Sequence, residues 1–154
     1  MRKPARAAPA RFIDDYLSYL LARASHAVYK EFERTVNAAG LSSLEWRVLA
    51  TLADVDGLSV GDLARVVLAK QPTLTKLIDR MEGAGWVARA GRDGDARVTV
   101  VRATARGKRA VARLKALAKE HEREILASFG AHEVATFKAM LRSMVERSER
   151  APPG

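Results

Sequence analysis

The chain has 154 residues, enough for one domain with a real core or one protomer of a larger assembly. Its 27 Lys and Arg against 18 Asp and Glu give a formal charge of +9, which favours a polyanionic partner but also suits RNA or an anionic membrane surface. There is no cysteine, which excludes disulfides and thiolate metal sites, and no run approaches the roughly 20 apolar residues of a membrane span.

Residues 1–11 are rich in Pro, Ala and Arg and lack the apolar stretch of a secretory signal, so the cytoplasm is the expected compartment. The basic arm (Arg2, Lys3, Arg6, Arg11) is expected to be a flexible tail, with contact to a DNA backbone as the other possibility. Phe12 to Ala39 is expected as one long helix with two stripes. Ile13, Leu17, Leu20, Ala24 and Val28 form an aliphatic face suited to core or subunit packing. Beside it run Phe12, Tyr16, Tyr19, Arg23 and His26. Rings next to a cation and an imidazole suit a small aromatic acid, by stacking and charge-assisted hydrogen bonds. The same stripe also fits an aromatic core edge with Arg23 and His26 facing water.

Asn37 to Gly40 closes that helix, and Ser42-Ser43-Leu44-Glu45 is a capping box opening the next, which carries Trp46, Arg47, Val48, Leu49 and Leu52. A buried Trp needs no ligand to explain it. Arg47, flanked by Trp46 and Val48, calls for a carboxylate partner or an anionic guest. Ser59-Val60-Gly61-Asp62 reads as a second capping box, with Leu63, Ala64 and Val67 on the buried side of a short helix. After a break at Leu68-Ala69-Lys70, Leu74, Leu77, Ile78 and Met81 recur at helical spacing from Gln71 to Gly85, with Pro72 at the start. The opposite face carries Thr73, Thr75, Lys76 and Arg80. Helix, short turn, amphipathic helix with a polar outer face is the helix-turn-helix arrangement, whose second helix can lie in a major groove.

After Gly85 the period changes from helix to strand. Trp86 to Arg89 and Val98 to Val101 are expected strands, and Gly91 to Asp95 carries turn chemistry. A hairpin after a helix-turn-helix is a wing. Arg92 and Arg97 sit near its tip beside Asp93 and Asp95, and an Arg on a projecting loop can enter a minor groove while a carboxylate holds it in position. A self-neutralising surface hairpin is the alternative. Between Trp86 and Arg113 there are eight cations (Arg89, Arg92, Arg97, Arg102, Arg106, Lys108, Arg109, Arg113) against Asp93 and Asp95. From Thr104 a helix runs to about Ser128, with Val111, Leu114, Ala118, His121 and Ile125 as a coiled-coil-like seam. Gly130 breaks it, and Val134, Phe137, Leu141 and Met144 stripe a final helix before the tail at 151–154. Terminal helices with so little of their own chain to pack on point to a two-fold dimer that interleaves them. His121 is expected as a hydrogen-bonded interface residue, not a metal ligand.

Residues 41 to 109 resemble the winged helix of the MarR family of bacterial transcription regulators. The matching pieces are TKLIDRMEGAGWVAR, the wing DGDARVTVV, and Thr104-Ala105-Arg106-Gly107. Asp95-Ala96-Arg97 matches the family's Asp-x-Arg wing signature, whose Arg reaches the minor groove. Two departures are Ala103, where a Leu usually precedes the Thr, and Gln71, where a Ser is more usual. The absent cysteine excludes the peroxide sensing of one branch of the family. The resemblance implies an effector pocket where the first two helices and the helix opening at Thr104 meet the winged domain, with Trp46 and Arg47 near the Tyr16, Tyr19, Arg23, His26 stripe.

Nothing catalytic emerges. His132-Glu133-Val134-Ala135-Thr136 begins like a zinc-protease HExxH but lacks the second His, and no phosphate loop or nucleophile elbow is present. Neither a metal nor a cofactor is expected. The expected fold is mainly α with a small β-wing: a basic arm (1–11), an N-terminal dimerisation and pocket helix (12–40), a winged helix-turn-helix (41–103), C-terminal dimerisation helices (104–150) and a tail (151–154). The expected function is a ligand-responsive regulator, most often a repressor in the family it resembles. It would bind a palindromic operator as a homodimer and be released by a small aromatic carboxylate such as a hydroxybenzoate or pyridine carboxylate. Gln71, Pro72, Thr73, Thr75, Lys76, Arg80, Arg92, Asp95 and Arg97 are the expected DNA contacts. An effector-free architectural DNA-binding protein and a small enzyme acting on aromatic acids, with His26 as its base, are the alternatives.

Overall fold

The computed structural model describes residues 11–92 and 95–150, with side chains for 11–91 and 99–150. The rest of the basic arm, the Asp93-Gly94 tip and the tail lie outside the described residues, as do the side chains of Arg92, Asp95 and Arg97. A 3-10 turn, Phe12–Asp15, precedes α1 (Leu17–Ala38), α2 (Ser43–Leu52), α3 (Val60–Val66) and α4 (Gln71–Gly83). Strands β1 (Val87–Arg92) and β2 (Asp95–Ala103) form an antiparallel hairpin, followed by α5 (Ala105–Leu126) and α6 (Ala131–Arg150). The architecture is a mainly helical winged helix-turn-helix. It divides into two compact units, Met1–Ala116 and Leu117–Gly154, with the boundary inside α5.

In the first unit, one face of each helix meets a common core. Val48, Leu49 and Leu52 of α2, Leu63 and Ala64 of α3 and Leu74, Leu77, Ile78 and Met81 of α4 are all buried. Val87 and Val101 close it from the wing, and Val111 and Leu114 from α5. Apolar area removed from water is the main stabilising term here, at about 25 cal/mol per Å². The loop between α2 and α3 adds a short bridge beside β2, in which Leu58 and Val101 exchange backbone hydrogen bonds of 3.1 and 2.8 Å.

Four expectations are corrected. The N-terminal helix is not continuous from Phe12: Tyr16 is extended (φ −79°, ψ 120°), and the α-helix starts at Leu17. Arg11 is drawn into this start, its guanidinium donating to both oxygens of Asp14 at 2.9 and 2.8 Å. Ser42 and Glu45 form a complete reciprocal capping box, whereas Ser59 and Asp62 form half of one. The shorter Asp62 takes the Ser59 hydroxyl at 2.7 Å and pairs with Arg65, so it does not reach back to the Ser59 backbone. The first strand opens at Val87, not Trp86, both strands run further into the hairpin than expected, and the ladder pairs Arg92 with Asp95 past an irregularity after Gly91. Finally, Val111 and Leu114 are not part of an intersubunit seam. They are 1 % and 2 % exposed within their own unit, because the first turns of α5 lie on the winged core.

The turn between α3 and α4 bends at Leu68, whose φ of +55° is unusual for a branched side chain and leaves it exposed. In the second unit, Lys138 of α6 pairs with Glu122 of α5 at 2.8 Å, and Leu126, Phe129, Val134 and Phe137 line a small apolar hollow. No helix among the described residues is long and apolar enough to cross a membrane.

Candidate nucleic-acid interface and effector cleft

Helix α4 sorts its residues by chemistry. Leu74 and Ile78 are fully buried, while Gln71, Pro72, Thr73, Thr75, Lys76 and Arg80 are exposed on the other side. Lys70 is the N-cap and supplies no side-chain cap, so the first N–H groups of α4 are left open to an outside acceptor. Pro72 occupies the first turn, where its missing N–H costs nothing. Thr75 donates its hydroxyl to the Gln71 carbonyl at 3.0 Å, which leaves the oxygen free to accept. The Gln71 side-chain oxygen lies 3.7 Å from the place of a β-carbon on Gly61 of α3. Pro72, Thr73, Lys76, Asp79 and Arg80 line one open hollow along the helix.

The wing is tied to this helix by Arg89, which the sequence presents only as the end of a strand and one more cation. Its guanidinium donates to Asp79 at 2.6 Å and to Glu82 at 2.5 Å, and its backbone N–H donates to Glu82 at 2.9 Å. That backbone bond and then the guanidinium hold the Glu82 carboxyl below the usual carboxylate range. Asp79 and Glu82 are three residues apart on α4, so both can face one strand residue. At the wing's other end Thr104 donates its hydroxyl to the Gly85 carbonyl at 2.6 Å and accepts from the Gly107 N–H at 3.1 Å. Gly107 has to be glycine, since a β-carbon there would stand 2.1 Å from the Trp86 carbonyl oxygen.

The aromatic and cationic residues of the expected pocket separate into four groups. Phe12 stacks on Tyr16, with ring centroids 5.4 Å apart, and Arg23 lies 5.8 Å from the Tyr19 ring. Trp46 turns to Phe32, 5.6 Å away, and packs on the core. His26 and Arg47 share a cleft of about 490 Å³ that Tyr29, Lys30, Glu33 and Ser43 complete. The Arg47 guanidinium lies 5.9 Å from the Tyr29 ring, and its Nε is buried without a hydrogen-bond partner. A helix rises about 1.5 Å per residue, so Tyr19 starts about 10 Å from His26 along the axis. Continuing the stripe past His26 by one and two turns would have found Tyr29 and Glu33. Among the described residues no group of His, Asp and Glu is arranged to hold a metal ion.

A family model described as the MarR family matches residues 39–98. The crystal structure of the MarR family transcriptional regulator SPO1453 from Silicibacter pomeroyi DSS-3 is 36% identical, with a TM-score of 0.78 over 89% of this chain and 98% of that one. The structure of NadR in complex with 4-hydroxyphenylacetate is 25% identical, with a TM-score of 0.78 over 89% of this chain and 97% of NadR. The transcriptional activatory protein BadR of Rhodopseudomonas palustris is 37% identical over 95 residues, which are 60% of this chain and 54% of BadR. An exposed polar face on the second helix of a helix-turn-helix, a wing fastened to it, and full-length similarity to SPO1453 lead to one conclusion: this chain belongs to the MarR family of DNA-binding transcription regulators.

Proposed function

We propose that the protein is a homodimeric repressor that binds a roughly palindromic operator in the cytoplasm and is released by a small aromatic carboxylate. The observation that carries the DNA half is the division of α4, with Lys76 and Arg80 outward and Leu74 and Ile78 inward. In this reading Gln71, Pro72, Thr73, Thr75, Lys76 and Arg80 face the major groove, and Arg92 and Arg97, steadied by Asp95, face the flanking minor groove. Residues 12–40 and the part of 104–150 beyond the buried Val111 and Leu114 join the two copies, and 41–103 bind the half-site. The apolar side chains left exposed in a single chain support this, among them Leu17 at 54% and Phe137 at 51%. Two-fold symmetry then sets the half-sites about 34 Å apart.

The effector half rests on the cleft between α1 and α2. Lys30, His26 and Arg47 offer charge-assisted hydrogen bonds to a carboxylate, and Tyr29 offers a ring face. The NadR complex with 4-hydroxyphenylacetate supports a ligand of this class. A bound acid would fix the spacing of the two α4 helices at a value B-DNA does not accept, and must favour that state by a few kcal/mol to empty the operator.

Sequencing the DNA retained by the purified protein tests the first half, with one enriched inverted repeat as the expected result. Retention of unrelated DNA with equal avidity at fixed salt would favour an architectural protein. Calorimetry with hydroxybenzoates and pyridine carboxylates tests the second half. Heat of binding with loss of operator affinity is expected, and no heat with any of them would remove the effector reading.

A further inference from the structure

The cations of this chain divide into those already engaged and those left open. Arg89 is held by Asp79 and Glu82, Arg102 is drawn to Asp56 at 3.7 Å, and Lys115 pairs with Asp54 at 2.6 Å. Arg106, Lys108, Arg109 and Arg113 are different. All four are exposed on the first three turns of α5, and none has an ion-pair or side-chain hydrogen-bond partner among the described residues. No acid occurs between Asp95 and Glu120, so nothing local in sequence offsets them.

A helix face that only meets water mixes charges of both signs. Cations near a helix start also oppose the backbone dipole. Helices α2, α3 and α6 follow that rule with Glu45, Asp62 and Glu133 in their first turns. Helix α5 has no acid there and carries Arg106 instead. With Gly107, Val111 and Leu114 buried, spacings of 3 and 4 bring Arg106, Arg109 and Arg113 onto one outward stripe. The stripe spans about 10 Å, or three base-pair rises of about 3.4 Å along one strand. It also begins where α4 ends, with the Arg106 Nη1 3.7 Å from the place of a β-carbon on Gly85.

Resting on the proposed reading of α4 as the groove helix, we propose that the Arg106, Arg109, Arg113 stripe is a second DNA-contact surface, which takes phosphates of the duplex beside that groove and adds affinity without sequence preference. Its occupant is the same duplex, because the stripe is continuous with the end of the reading helix and its charge is of one sign. The wing and α4 choose the site in this arrangement, and α5 holds the backbone.

The test compares the full chain with an Arg106→Gln, Arg109→Gln, Arg113→Gln variant on a random-sequence duplex of roughly 40 base pairs across a salt series. Each phosphate contact contributes about 0.9 to the slope of log affinity against log salt, so the slope should fall by roughly 2 to 3. The variant's preference for the DNA retained by the parent, over the random duplex, should stay unchanged. An unchanged slope would show that these arginines only face water or serve an acidic protein, and would overturn the proposal. A changed preference would overturn it too, by making them base readers. If the triple variant loses its cooperative melting transition, the Arg109→Gln, Arg113→Gln pair decides the matter, with a slope expected to fall by nearly 2.

Discussion

Helices α4 and α6 are both amphipathic, yet they end up in opposite situations. In α4 the apolar stripe of Leu74, Leu77, Ile78 and Met81 is buried within a single chain. Helix α6 is longer and buries no residue, and Phe137, Met140 and Val145 remain more than half exposed. Periodicity names the face of a helix that avoids water; it does not name what covers that face. For α4 the cover is a set of neighbours within the same unit. For α6 it is, in the proposed dimer, a second copy.

The contrast is broken most severely on the α4 side. Gly107→Ala drives a β-carbon into the Trp86 carbonyl and should cost on the order of 3–5 kcal/mol in urea denaturation. Gly83→Ala, which meets nothing within 4 Å, should stay within about 1 kcal/mol of the parent. A similar loss for both would mean that the tight joint at Gly107 does not exist.

A second pair of variants sharpens the difference between internal and external cover. Ile78→Ala should lose about 2–4 kcal/mol, by the same amount at every protein concentration. Phe137→Ala should shift the unfolding midpoint mainly at low concentration, where dissociation precedes unfolding. A Phe137→Ala midpoint that tracks the parent at all concentrations would leave α6 without its proposed partner.

The smallest effect concerns the Arg89 clamp. The Glu82 carboxyl is held below its ordinary value of 4.5 in the folded state, so its contribution is fully present above that value and is lost as pH falls through the lowered one. Fluorescence of Trp86, next to β1, should therefore report a loosening of the wing only under acid conditions. Glu82→Gln should remove most of that acid dependence. An identical acid transition in the variant would assign it to other carboxylates.

Legibility followed distance along the chain. The α4 stripe, the Ser42–Glu45 box and the helix stop at Gly40 depend on residues within one or two turns, and all were readable. The break at Tyr16 was not, because its residues also fit a helical period and Arg11 with Asp14 favours the 3-10 turn through a specific ion pair. The Arg89 clamp joins residues 7 and 10 apart across a turn, and no local pattern announces it. The same holds for the cleft. Its wall depends on how α1 crosses α2, so Tyr29 and Glu33 were missed while Trp46 was drawn to the core by Phe32. Val111 and Leu114 kept the expected spacing but met their own unit, which spacing alone does not tell.

The joint around Thr104 has a mechanical meaning. One hydroxyl fastens the close of α4 to the opening of α5, and Gly107 lets the two backbones sit without a spacer between them. A helix anchored this closely cannot pivot by itself. In the proposed reading, a displacement of the first turns of α5 is therefore passed on to the close of α4 and is not absorbed as slack.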